Sequence, residues 1–279
     1  MIRITHSVRI VSNVFAALLT SGLLLASVDD RANAQGVSAS DECKSISVGG
    51  ADGWEPVTYI DKDGRQVGLG IDILQEYARK HGFRLELHLD IPWTRSLQML
   101  EKGELDVIAG AYFTEERNDL FRYSIPFAYD EVMVFQHKDR QFAFSGIEDL
   151  VNRRGARPQG GSYGDFVDTY ARDHLDMIYS PTGNKIFDVL LTERVTYVLL
   201  GRYDGLTNIY RDKLENEVFA VEPPLVRNDV RLMFSRTTPC LDDIAAINLL
   251  ITELEENGTL ASMTSAHLHK LASDKESGT

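Results

Sequence analysis

From Ser45 to Ala109 the chain alternates strand and helix, and this alternation restricts the fold more than any other feature of the sequence. Ser45-Ile46-Ser47-Val48 reads as a short strand ending at Gly49-Gly50, and Tyr59 to Gly64 carries the Asp-Gly chemistry of a tight turn. Ile71, Leu74, Tyr77 and Ala78 recur at helical spacing, with Gly82 placed to end that helix in a left-handed conformation. Leu85, Leu87 and Leu89 then alternate with Arg84, Glu86 and His88 as a strand. Leu97 and Leu100 mark a second helix stopped by Gly103, before the buried strand Leu105-Asp106-Val107-Ile108-Ala109. Parallel neighbours cannot be joined by a hairpin, so this order calls for a parallel sheet with right-handed helical crossovers.

After the extended Val132-Met133-Val134-Phe135 the pattern begins again. A short helix from Ile147 to Val151 and a loop at Gly160-Gly161-Ser162 precede a helix carrying Phe166, Tyr170 and Leu175. The extended Met177-Ile178-Tyr179, a helix from Lys185 to Thr192 and the strand Thr196 to Leu200 complete the second unit. Pro223-Pro224 stiffens the approach to Val230-Arg231-Leu232-Met233-Phe234, which can return the chain to the first unit. A last helix, Leu241 to Glu256, presents Ile244, Ile247, Leu250, Ile251 and Leu254 on one face. A chain of 279 residues exceeds what one core usually fills, which agrees with two half-size α/β lobes.

The amino terminus reads as an export signal. Arg3 and Arg9 precede the uncharged, leucine-rich stretch Val14 to Val28, which is short of the roughly 20 residues needed to span a bilayer. Ala32-Asn33-Ala34 then supplies the small-x-small pattern read by signal peptidase, so cleavage is expected after Ala34 and the mature chain is expected to be periplasmic. Ser40-Asp41-Glu42 before Cys43 lacks the small apolar residues of a lipoprotein signal. In an oxidising compartment Cys43 and Cys240 could pair, the alternative being two independent buried thiols. A net charge of −13 without a basic patch argues against nucleic acid as a partner. The histidines are scattered and give no metal site, and no cofactor motif is present.

Several segments together resemble the family 3 periplasmic solute-binding proteins of the polar amino-acid group. They are Trp54-Glu55-Pro56, Asp63-Gly64, Val67 to Leu74, Gly103 to Gly110, Thr114-Glu115-Glu116-Arg117, Tyr123-Ser124-Ile125-Pro126-Phe127 and Gly258-Thr259-Leu260. The likeness covers nearly all of the mature chain and is strongest between Trp54 and Phe127. It implies a type II periplasmic-binding-protein fold: two α/β lobes, each a mostly parallel sheet flanked by helices, joined by two crossover strands and closing on a small ligand. The corresponding layout is a signal peptide at 1–34, lobe 1 at 35–134, lobe 2 at 135–226, a return to lobe 1 at 227–270 and a frayed tail at 271–279. The implied partners are a small-molecule solute and an ABC-type membrane permease, served by a monomer.

The resemblance also points to ligand contacts. Arg117 stands in the Thr-x-x-Arg segment that such proteins use to grip a carboxylate through paired guanidinium hydrogen bonds. Trp54 occupies the place of an aromatic ring over the ligand, and Tyr112 that of a small hydroxyl residue. Trp93 and Arg95 lie at a strand-to-helix turn on the expected cleft side, while Ser162 and Tyr163 precede a helix whose free N–H groups could receive an anion. One departure stands out: aligning Arg194-Val195-Thr196-Tyr197 with the family's Gly-Arg-x-Asp-Ala segment puts Gly201 where amino-acid binders hold an ammonium with Asp. Reading Gly201-Arg202-Tyr203-Asp204-Gly205 as that segment instead would place its strand in a Gly-Asp-Gly turn. A carboxylate-bearing solute is therefore expected, and a standard α-amino acid is in question. The competing readings are an enzyme on the same fold, similar to cyclohexadienyl dehydratases, with Glu55 as its nearest acid or base, and a receptor serving a separate sensor.

Overall fold

The computed structural model describes residues 44–180, 185–238 and 244–277. The expected signal peptide with its cleavage point, and both Cys43 and Cys240, lie outside the described residues. In chain order the strands are β1 (Ser45–Gly49), β2 (Tyr59–Ile60), β3 (Gln66–Val67), β4 (Arg84–His88), β5 (Val107–Tyr112), β6 (Arg122–Tyr123), β7 (Ala128–His137), β8 (Arg154–Pro158), β9 (Asp176–Ser180), β10 (Tyr197–Gly201) and β11 (Val218–Phe234). The helices are α1 (Leu69–His81), α2 (Trp93–Glu101), α3 (Glu115–Leu120), α4 (Asp165–His174), α5 (Asp188–Leu191), α6 (Arg202–Arg211), α7 (Ile244–Glu256) and α8 (Thr259–Ser277).

Nine strands form one curled sheet in the order β4-β1-β5-β11-β7-β10-β8-β9, with β6 added against β11. At one end β1 pairs in parallel with β4 and β5, and at the other β8 pairs in parallel with β9 and β10. The central β7 and β11 run antiparallel to each other and to both flanks. These two long strands are the crossovers: β11 pairs with β5 through Val230 to Phe234, and β7 pairs with β10 through Val132 to Phe135. Register between them shifts from Val221 to Val226, around Pro223 and Pro224, which have no N–H to give to the ladder.

Ile46, Val48 and Val107 are fully buried with Leu69, Ile71 and Leu74 of α1 and Ile247 of α7, in a cluster that continues through Val132 and Val134 of β7 to Tyr197 and Leu199 of β10, whereas Met133, Phe135, Phe187, Val198 and Leu200 pack with Ile209 of α6 in a cluster of the second unit. At about 1.5–3 kcal/mol for each large apolar side chain removed from water, these layers are the main source of stability. The periodicity of α1 is fulfilled, and Gly82 ends it at φ 78° with its N–H on the Ala78 carbonyl.

The second unit departs from expectation in three places. β8 was not expected, because Arg154-Gly155-Ala156-Arg157-Pro158 shows neither alternation nor an apolar run; its burial is set by the strands beside it. Only Asp188–Leu191 of the expected helix from Lys185 is α-helical. The expected Gly-Asp-Gly turn at 203–205 is helical, since α6 starts directly after β10 and continues through Gly205. Helical backbone also runs to Ser277, where a frayed tail from 271 was expected; Leu, Ala, Ser and Lys favour or tolerate helix, and no Gly or Pro interrupts before Gly278.

Candidate functional site

The carboxyl ends of β1, β4, β5, β8, β9 and β10 all open onto one cavity of about 350 Å³, and every lining residue sits at such an end or in the segment that follows it. This is where an open α/β sheet leaves backbone and side chains free to meet a ligand. Trp54, Trp93, Tyr112, Arg117, Ser162 and Tyr163 all line the cavity. Arg95 does not; its side chain is half exposed and lies 3.9 Å from Glu104.

Three rings form the wall. Trp54 meets Tyr112 edge-on at 5.1 Å between centroids, and Tyr112 is tilted against Tyr163 at 6.4 Å. Asp130 of β7 fixes the first two: its Oδ2 accepts from Trp54 Nε1 at 2.9 Å and from the Tyr112 hydroxyl at 2.6 Å. The Tyr163 hydroxyl donates to the Leu199 carbonyl at 2.7 Å, and the Arg157 guanidinium stacks 4.5 Å over the Tyr163 ring. Burial pushes the Tyr112 and Tyr163 hydroxyls well above the usual tyrosine range. Both rings therefore stay neutral and keep their donor role.

Arg117 belongs to α3, whose cap is Thr114: the Thr114 hydroxyl accepts from the Arg117 N–H at 3.1 Å. Its guanidinium donates through Nη1 to the Tyr112 carbonyl at 3.3 Å and through Nη2 to the Gly160 carbonyl at 3.1 Å. The same Gly160 carbonyl accepts from Trp93 Nε1 at 2.9 Å, and Arg117 lies 5.6 Å from the Trp93 ring. A residue after β8 is thus held by two donors that follow β4 and β5. Desolvation lowers the Arg117 pKa from its usual value, yet a guanidinium remains charged, so an anion in the cavity would meet a poorly hydrated cation.

The loop before α4 differs from its expected form. Its N–H groups were expected to be free for an anion, but the Asp168 carboxylate takes that place, accepting from the Tyr163 N–H at 3.0 Å and from the Ser162 hydroxyl. Arg157 pairs with the same carboxylate at 2.8 Å and donates to the Gly161 carbonyl at 2.7 Å. An acid one turn into a helix can fold back on its own N-terminal loop, and the spacing from Ser162 to Asp168 is the only hint of this in the sequence.

Acidic residues that sequence reasoning did not select also surround the cavity. Asp52, Asp90 and Asp204 line it. Asp204 is raised to about 8 by desolvation first and then by the charges of Asp130 and Glu55. Asp130, 1% exposed, is also raised by desolvation, against the hydrogen bonds from Tyr112 and Trp54. Glu55 is buried outside the lining, with Oε2 unpartnered and its pKa raised by desolvation.

The two flanks share two crossover strands, and the strand ends hold one ring-walled cavity. The chain belongs to the bacterial extracellular solute-binding proteins, family 3, whose profile matches residues 46–270. A probable amino-acid ABC transporter-binding protein of Haemophilus influenzae is 25% identical over 44% of this chain and 48% of its own length. The probable amino-acid-binding protein YxeM of Bacillus subtilis is 21% identical over 84% of this chain and 88% of its own. Membrane-bound lytic murein transglycosylase F of Idiomarina loihiensis is 27% identical over 56% of this chain, but the match covers only 34% of that protein. The chain thus spans half or less of the length of two of these relatives. A mutant of ArgBP from T. maritima shares the fold, with TM-score 0.71, 21% identity and coverage of 83% of this chain and all of that one.

Proposed function

We propose that this chain is an exported, monomeric receptor that closes on a small carboxylate-bearing solute and delivers it to an ABC-type membrane permease. In this reading residues 1–34 are removed after Ala34 and the mature protein works in the periplasm. Lobe 1 comprises 35–134 and 227–270, and lobe 2 comprises 135–226. The observation that carries the reading is the guanidinium of Arg117 at the cavity, backed by Trp93 and donating across to Gly160. A carboxylate there would find planar donors already oriented, with Trp54, Tyr112, Ser162 and Tyr163 enclosing the rest of the solute. The Haemophilus influenzae relative described as a probable amino-acid ABC transporter-binding protein supports the permease as partner. Glu55, the carboxyl considered for an eliminating enzyme, is not a lining residue, so it lends that reading no support.

A thermal-shift screen against amino acids, hydroxy acids, dicarboxylates, amines and aromatic acids tests this. A solute at 100 times its dissociation constant should stabilise the protein by about 2.7 kcal/mol. Arg117→Ala should stay folded by circular dichroism and lose about 2–5 kcal/mol of binding to the solute found, with Arg117→Lys recovering only part. A folded Arg117→Ala variant that binds within threefold of wild type would place the anchor elsewhere.

A further inference from the structure

Position 201 shows why the expected ammonium acceptor is absent and where its role has gone. Gly201 ends β10, and a Cβ there would overlap Asp130 Oδ2 and stand 2.8 Å from the Tyr112 hydroxyl. An acid at 201 and Asp130 in its present place exclude each other. Asp130 does not substitute for the missing acid, because its oxygens are used internally: Oδ2 by Trp54 and Tyr112, Oδ1 by the Glu131 N–H at 2.8 Å. It does not line the cavity; it positions the rings that do.

Asp204 is placed differently. It lies three residues after Gly201, in the first turn of α6, and it lines the cavity that Arg117 also lines. Its Oδ1 accepts from Asn208 Nδ2 at 2.6 Å, and among the described residues no hydrogen bond reaches its other oxygen. The lining carries one basic side chain, Arg117, and three carboxyls, Asp52, Asp90 and Asp204, so a solute bringing only an anion would add to the acidic excess.

Resting on the receptor reading above, we propose that Asp204 is a specificity-determining residue. It accepts an ammonium or guanidinium group of a solute whose carboxylate lies at Arg117, performing from α6 the task that Gly201 cannot perform from the end of β10. A desolvated carboxyl is poorly stabilised as an anion until a cation reaches it. Asp130 of β7, Glu55 of the β1–β2 segment, and the Tyr112 and Tyr163 hydroxyls face it, with Arg211 and Asn208 of its own helix opposing them. With its pKa near 8, Asp204 holds a proton at neutral pH when the cavity has no cation. A cationic solute then displaces that proton to the buffer, whereas an uncharged one leaves it in place.

The test uses carboxylates in matched pairs that differ only in the cationic group. Suitable pairs are L-leucine with 2-hydroxy-4-methylpentanoate, L-phenylalanine with phenyllactate, 5-aminopentanoate with 5-hydroxypentanoate, and 4-guanidinobutanoate with 4-ureidobutanoate, with glutarate added. Calorimetry in buffers of different ionisation enthalpy should find at least one cationic member bound in preference to its partner, with a proton released. Asp204→Asn keeps the side-chain shape and the Asn208 contact; it should abolish that release and weaken binding by about thirtyfold or more. The proton release is read on wild-type protein, so the test does not depend on the variant folding. Uncharged acids or glutarate binding as well as the cationic members, or an Asp204→Asn variant within threefold of wild type, would overturn the assignment and leave the receptor reading intact. No binding by any probe would overturn both.

Discussion

Replacing Asp168 with alanine should unhinge the loop that closes the cavity from the second lobe, at a measurable cost in stability. The Arg157 side chain is 4% exposed, its Nε already lacks a partner, and Asp168 is its paired anion at 2.8 Å. Removing one member of a buried pair costs about 3–5 kcal/mol; because Asp168 is 28% exposed, the lower end, about 3, is the expected value. For a domain of this size that corresponds to about 6–12 °C in the unfolding midpoint. Asp168→Asn retains one acceptor oxygen and should cost about 1–2 kcal/mol. Adding Arg157→Met to Asp168→Ala removes the stranded cation and should restore part of the loss. Urea unfolding followed by circular dichroism gives these values. Fluorescence of Trp93, whose indole donates to Gly160, reports whether the loop has moved. An Asp168→Ala variant within 1 kcal/mol of wild type, or a double variant less stable than the single, would refute the account of a buried pair holding the loop.

Three further outcomes follow from the same geometry. Gly201→Ala should destabilise by about 1–3 kcal/mol through overlap with Asp130, and the cost should shrink in an Asp130→Ala background; equal costs in both would show that the two positions do not touch. Asp204 has a folded pKa near 8 against an unfolded value of about 3.9, so the folded state retains a proton that the unfolded state has released. Its contribution therefore weakens stability as pH rises from about 4 to 8, by at most about 1.4 kcal/mol per pH unit; urea midpoints should depend less on pH in Asp204→Asn, and identical dependence in both proteins would refute the sign. Arg95→Ala should leave solute affinity unchanged by calorimetry, because that side chain lies outside the cavity beside Glu104; a tenfold loss would contradict its placement.

What the sequence determined by itself is what repeats at short range. Period-two and helical spacing over 45–109 prescribes strands and helices whose order permits a parallel sheet, and Gly82 is legible because a helix end needs one left-handed residue. Arg117 is marked by its resemblance to the family's Thr-x-x-Arg segment, a local motif in which Thr114 caps the helix, and its side chain lines the cavity. β8 escaped, since Arg154 to Pro158 is a strand only by virtue of β9 and β10 on either side. The tertiary structure alone decided that Asp168 turns back on its loop, that Asp130 fills the space beside Gly201, and that one carbonyl at Gly160 receives both Trp93 and Arg117. The last two join segments far apart in the chain, and the Asp168 contact, though only five residues long, follows no helical or strand period. They exist because burying a charge or a polar atom requires a partner, and the fold supplies that partner from whichever strand end is nearest in space.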